Sequence, residues 1–150
     1  MAHAQQQVLD AVRAALVLAA TVAGARVFVD RVDPLQASEL PAILVDEDGE
    51  GESREVSTIH STLHQAELAV AVRCVVRGGA GAAAAARALG LQAELALVGS
   101  LPLNALVTQG PVMTGSRQNN TGDADALMAA REQSWRFGYY LNPSDPETLL

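Results

Sequence analysis

The 150-residue chain contains no lysine, a single cysteine and very few aromatics, and each shortage closes off a class of function. All ten basic residues are arginine, against 17 acidic ones, and the net charge is −7. That balance excludes the basic footprint by which proteins displace counterions from nucleic acid, so no sequence-specific nucleic-acid partner is expected. One cysteine, Cys74, cannot form an internal disulfide. It falls on the apolar side of a predicted strand and reads as a small buried hydrophobe, not as a nucleophile. With aromatics at 3% and hydrophobic residues at 49%, the core must be built mainly from Val, Leu and Ala.

Long hydrophobic runs are also missing. A membrane span needs about 20 apolar residues in a row, and no membrane association is expected. Ala14 to Ala25 follows Arg13 and ends Ala23-Gly24-Ala25, which imitates a signal-peptidase site. Asp10 lies in the would-be basic region and the apolar stretch is mostly alanine, so an amphipathic helix is the better reading.

What is present is patterning. Over residues 3–22, Val8, Leu9, Val12, Ala15, Leu16 and Ala19 recur at helical spacing, and Gly24 is the expected stop. A short strand is predicted over 25–32, ended by Asp33-Pro34. A second strand follows Pro41 and runs into Asp46–Ser53, whose charge and two glycines predict an exposed, mobile loop. Residues 54–60 are a possible further strand piece. From Leu68 the chain alternates, with Leu68, Val70, Val72, Cys74 and Val76 on one face, as in an antiparallel strand buried on one side.

A helix after Gly81 is expected to bury Ala84, Ala88, Leu91, Leu95 and Val98 and to stop at Ser100-Leu101-Pro102. Leu103 to Thr114 then reads as a strand and Gly115–Asp125 as a polar loop. In the last strand Trp135, Phe137, Tyr139 and Leu141 share a face and anchor the core, while Tyr140 points the other way as a contact candidate. The tail 142–150, with Pro143 and Pro146, is expected to be irregular. The fold class is α+β: a mostly antiparallel sheet of four or five strands with two main helices, in a single domain.

Candidate chemistry is thin. Gly79-Ala80-Gly81-Ala82-Ala83-Ala84 has the spacing of a dinucleotide-binding turn, but the strand before it alternates in polarity and no acid-ended second strand follows. His60 and His64 are four apart, yet Ser61-Thr62-Leu63 between them lacks the metalloprotease glutamate and favours extended structure. Asp46-Glu47-Asp48-Gly49-Glu50 looks calcium-like, but the twelfth position, which should be glutamate, is Ser57. Asn119-Asn120-Thr121 matches a glycosylation sequon without further support. No catalytic residue, metal or cofactor is expected, and the reading is not an enzyme. The alternative is a small-ligand or enzymatic domain using the Gly79/Gly81 turn.

Three segments carry a family resemblance. They are Leu40-Pro41-Ala42-Ile43-Leu44-Val45 with its acids, Gln65-Ala66-Glu67-Leu68-Ala69-Val70-Ala71-Val72, and Gln133-Ser134-Trp135-Arg136-Phe137-Gly138-Tyr139-Tyr140. In order and spacing the chain resembles the tail terminator and tail completion proteins of long-tailed phages and prophages, the lambda-like minor tail protein U group. The resemblance implies a ring, typically a hexamer, on the end of the tail tube. Such a ring stops polymerisation and receives the head connector. Implied partners are copies of itself, the tail-tube protein and a head–tail connector protein, and the place is the host cytoplasm during assembly and then the virion tail. Another head–tail joint component fits the same resemblance.

The expected assembly surface is Asp46, Glu47, Asp48, Glu50, Glu52, Arg54 and Tyr140. Five of these acids, Asp46 to Glu52, are expected to be replaceable by serine with little loss of thermal stability. The sequence shows no obvious exposed apolar stripe, so the free chain is expected to be monomeric when dilute.

Overall fold

The computed structural model describes residues 3–56, 63–121 and 128–150. The elements are α1 (Ala4–Leu18), β1 (Val27–Val29), β2 (Ala42–Val56), β3 (His64–Arg77), α2 (Ala82–Gly99), α3 (Leu101–Leu106), β4 (Gln109–Thr121), β5 (Met128–Asn142) and β6 (Asp145–Leu149). A one-turn 3-10 helix, Ala37–Glu39, lies between β1 and β2. The fold is α+β, as expected from the sequence. Its six-stranded sheet runs β1-β2-β3-β5-β4, with β6 added to β5. Only β1 and β2 pair in parallel; the other pairings are antiparallel.

Alternation decides which face is covered. Leu68, Val70, Val72, Cys74 and Val76 of β3 are all buried, opposite Phe137, Trp135, Gln133, Arg131 and Ala129 of β5. The helices lie on this side, and the core collects Val8, Val12 and Leu16 of α1 with Leu89, Ala93 and Leu97 of α2. Trp135 anchors it: the indole is 1% exposed and stacks on Phe137 with ring centroids 6.5 Å apart. Cys74 is buried as expected, and burial pushes its thiol up to about 12.

Several expectations are corrected. The first helix ends at Leu18, before the glycine; Ala20 and Gly24, both at positive φ, shape the turn that follows. The strand after it is only three residues long, closed by Asp30 at φ 54°. The Asp46–Ser53 loop is strand: β2 continues to Val56, with an irregularity in its pairing to β3 between Glu47 and Glu52. Residues 57–60 lie outside the described residues. Leu101–Leu106 is a helix capped by Ser100, whose Oγ accepts from the Leu103 amide at 3.3 Å. Pro102 fits its first turn, where no amide donor is needed. Strand β4 therefore starts at Gln109 and includes Gly115–Thr121, placed as a loop from sequence. The tail is not irregular, because β6 pairs with β5 and the Glu147 carbonyl accepts from Gln7 Nε2 of α1 at 2.5 Å.

The largest correction concerns α2. The residues expected in the core face outward: Leu91, Leu95 and Val98 are 56%, 65% and 56% exposed, and Ala84 and Ala88 are exposed too. The buried face is Ala86, Leu89, Gly90, Ala93 and Leu97. Both faces are apolar, so periodicity could not choose between them. Packing does: the Gly90 carbonyl accepts from Gln133 Nε2 at 2.8 Å, and a Cβ at Gly90 would sit 3.0 Å from Arg131 Cγ. The face with the smallest residues goes against the sheet because β5 fills the space with long side chains.

Candidate functional site

Strand alternation that buries one sheet face leaves the other more open, although Ala69 and Val75 of β3 and Ala130 of β5 are buried on it as well. On the side away from the helices, β3 carries Glu67, Ala69, Ala71 and Arg73, and β5 carries Glu132, Ser134, Arg136 and Tyr140. Arg73, Glu132 and Arg117 stand side by side across β3, β5 and β4. Arg117 Nε donates to Glu132 Oε2 at 2.7 Å, Arg73 Nε lies 3.2 Å from Oε1, and Asn119 Nδ2 donates to Oε1 at 3.2 Å. Burial works against the Glu132 charge, but the bonds from Arg117 and Asn119 and the two guanidinium charges outweigh it and hold the carboxyl below its usual range. The next row is small, with Ala71, Ser134 and Gly115 in register. This leaves an open cleft of about 480 Å³, walled by Arg73, Arg117, Glu132 and Asp48. Further along, Arg136 reaches Glu67 at 3.1 Å.

The structure divides the expected assembly residues between two faces. Asp46, opposite Ala71, is on the open face, and Asp48 lines the cleft with Arg73. Burial, followed by the charge of Asp30, raises the Asp46 pKa against the pull of Arg73. Tyr140 also belongs to the open face, farther along β5 opposite Gln65. Glu47, Glu52 and Arg54 pair with Val70, Leu68 and Ala66 and so belong to the helix side. Glu50 is strand by its backbone, and its side chain falls outside the described residues.

Glu52 is not a surface charge at all. Its side chain is 6% exposed, accepts from the Tyr139 hydroxyl and is paired with Arg54. Burial raises its pKa, but the bonds from Tyr139, Arg54 and Gln5 and the Arg54 charge outweigh that and lower it overall. Burial and the Glu52 carboxylate together push the Tyr139 phenol well above its ordinary value. The expectation that Glu52 is freely replaceable is therefore overturned: its carboxylate ties the acidic strand to the core. Sequence reasoning missed this because an acid amid acids gives no sign of burial. The one available signal was the Tyr139 hydroxyl on a strand face otherwise apolar.

Beyond its three residues paired with β1, the acidic half of β2 has no strand on its outer side among the described residues. It is a sheet edge, and its carboxylates discourage pairing with a stray strand.

The other candidate sites fare differently. The Gly79/Gly81 turn opens α2 from β3, a strand antiparallel to both neighbours, and not from the parallel βαβ unit of a dinucleotide fold. The calcium-like run is extended strand, unlike an EF-hand loop. His60 lies outside the described residues, and no group that could hold a metal ion occurs among the described residues. No helix there is long and apolar enough to cross a membrane.

A second surface contradicts the expectation of no exposed apolar stripe. Besides the outward face of α2, Leu18 and Leu101 are 80% and 82% exposed. With Leu95 and Pro102 they line an apolar groove of about 360 Å³ between α1, α2 and α3.

No family model matches the sequence, and no curated protein matches it. Among solved structures, a chain described as "Virion of native gene transfer agent (GTA) particle" aligns with a TM-score of 0.46 and 24% identity. The alignment covers 89% of this chain and 90% of that one. At that level of similarity no family membership follows.

Proposed function

We propose that this chain acts by assembly in a phage-type tail, as a terminator or completion protein forming a ring on the end of the tail tube. The observation that carries the reading is the sheet with helices on one face only. Its other face is a broad surface of paired charges around a shallow cleft, suited to a protein partner. The element order underlying the sequence resemblance supports it as well, with the acidic segment drawn out as strand. The net charge of −7 suits a ring through which DNA must pass without adhering. By the resemblance the ring would be a hexamer, meeting the tail-tube protein on one side and a head connector on the other, in the host cytoplasm and then in the virion.

The test is tube growth. Adding the protein to polymerising tail-tube subunits is expected to arrest elongation, with the protein found at tube ends by electron microscopy. Arg117→Glu, at a side chain 78% exposed, should abolish end binding, with a small loss of melting temperature from the like charge now opposite Glu132. Tubes that elongate unchanged, with no protein sedimenting alongside them, would refute the proposal.

A further inference from the structure

The outward face of α2 carries a seam that fits another helix. Gly81, Ala84, Ala88, Leu91, Leu95 and Val98 are all exposed and follow one another at intervals of three and four residues. That spacing is the repeat by which helices pack knobs into holes. The seam lies opposite the buried face, and among the described residues only Leu95 of it also borders the groove shared with α1 and α3.

We propose that this seam is a homodimer interface in which α2 packs antiparallel against α2 of a second copy. The case rests on how size and charge are distributed along the helix. The first half of the seam is small (Gly81, Ala84, Ala88) and the second half is large (Leu91, Leu95, Val98). Antiparallel pairing about a two-fold axis between Leu89 and Gly90 sets Leu91 on Ala88, Leu95 on Ala84 and Val98 on Gly81. Every layer then joins a large side chain to a small one, as close packing requires. Parallel pairing would stack leucine on leucine at one end and leave gaps between alanines at the other.

Charge selects the same register. Arg87 and Glu94 flank the seam on one side, and neither forms an ion pair among the described residues. In the antiparallel register, Arg87 of each copy comes beside Glu94 of the other, twice over by symmetry. A single helix pair buries an area at the small end of specific interfaces, so the dimer is weak and concentration-dependent. The inference concerns the free chain and does not depend on the tail reading.

Sedimentation velocity of the full chain over a concentration series reads it directly. A monomer–dimer equilibrium is expected, and Leu91→Glu with Ala88→Glu should leave only monomer at a nearly unchanged melting temperature, since both side chains are already exposed. Arg87→Glu alone should raise the dissociation constant about 10-fold, a change of about 1.4 kcal/mol. Adding Glu94→Arg should restore it. Mixing an Ala84→Cys chain with a Leu95→Cys chain should yield a mixed disulfide that neither forms alone, and buried Cys74 does not compete. A chain monomeric at its solubility limit overturns the proposal. So does a dimer that survives both glutamates, or one without the mixed disulfide.

Discussion

Trp135→Ala is expected to be the most damaging single substitution in this chain, at about 3–5 kcal/mol from the cavity alone. The indole is almost fully enclosed, and its Nε1 donates to Gln133 Oε1 at 3.0 Å. Gln133 in turn holds the Gly90 carbonyl, so the ring helps seat α2 on β5. Removing it opens a void and leaves a buried amide oxygen without its donor, which adds to the loss. A domain of this size has only about 5–15 kcal/mol in total. A drop in melting temperature of about 6–20 °C follows, measured by far-ultraviolet circular dichroism because the fluorophore itself is lost. Trp135→Phe should recover much of the volume term but not the bond to Gln133. A shift of a degree or two for the alanine variant would mean that the central strand is not the anchor described.

Glu52→Ala is expected to cost about 1–3 kcal/mol, because it strands the Tyr139 hydroxyl in a buried position. Glu52→Gln keeps an acceptor for Tyr139 and should cost less. The pH dependence has a definite sign. The Glu52 carboxyl has a lower pKa folded than unfolded. Its contribution is therefore fully present above the unfolded value near 4.3 and is lost as pH falls through the folded value. Urea titrations at a series of pH values should show wild type and Glu52→Gln differing most near neutrality and converging in acid. Equal stability at pH 7 for the alanine variant would remove the structural role assigned to Glu52. The serine replacement of the acidic segment now divides in two: Asp46, Glu47 and Asp48 should tolerate it, and Glu52 should not.

How legible the fold was depended on how many faces each element buries. Strand β5 was readable because Trp135, Phe137, Tyr139 and Leu141 alternate with polar residues, and α1 because its apolar stripe is single. Helix α2 was misread because alanine and leucine occupy both of its faces. The choice between them is made by Arg131 and Gln133, more than thirty residues away in sequence. Charge misled at β2, where glycines and carboxylates suggested a loop although each residue there has a β3 partner or sits in the irregularity. The candidate site was only partly visible. Asp46, Asp48 and Tyr140 do share the open face, but the Arg73–Glu132–Arg117 row is created by register between three strands and leaves no mark on any one segment.

Among the described residues the unpaired edge of β2 is guarded by charge and not by a covering strand, which makes the guard reversible. A helix laid over an edge must unfold to expose it; a row of carboxylates need only be neutralised. Counterions, protons or a basic strand could each do so while the core stays intact. The edge is therefore selective: it turns away neutral and acidic strands and remains open to one that brings positive charge. Since salt screens exposed charges over about 10 Å at 0.1 M, pairing of two copies through this edge should strengthen with ionic strength, whereas pairing with a basic strand should weaken. Light scattering that falls as salt is added would show that charge is not what keeps the edge apart. The acidic segment then works as a lock whose key is opposite charge.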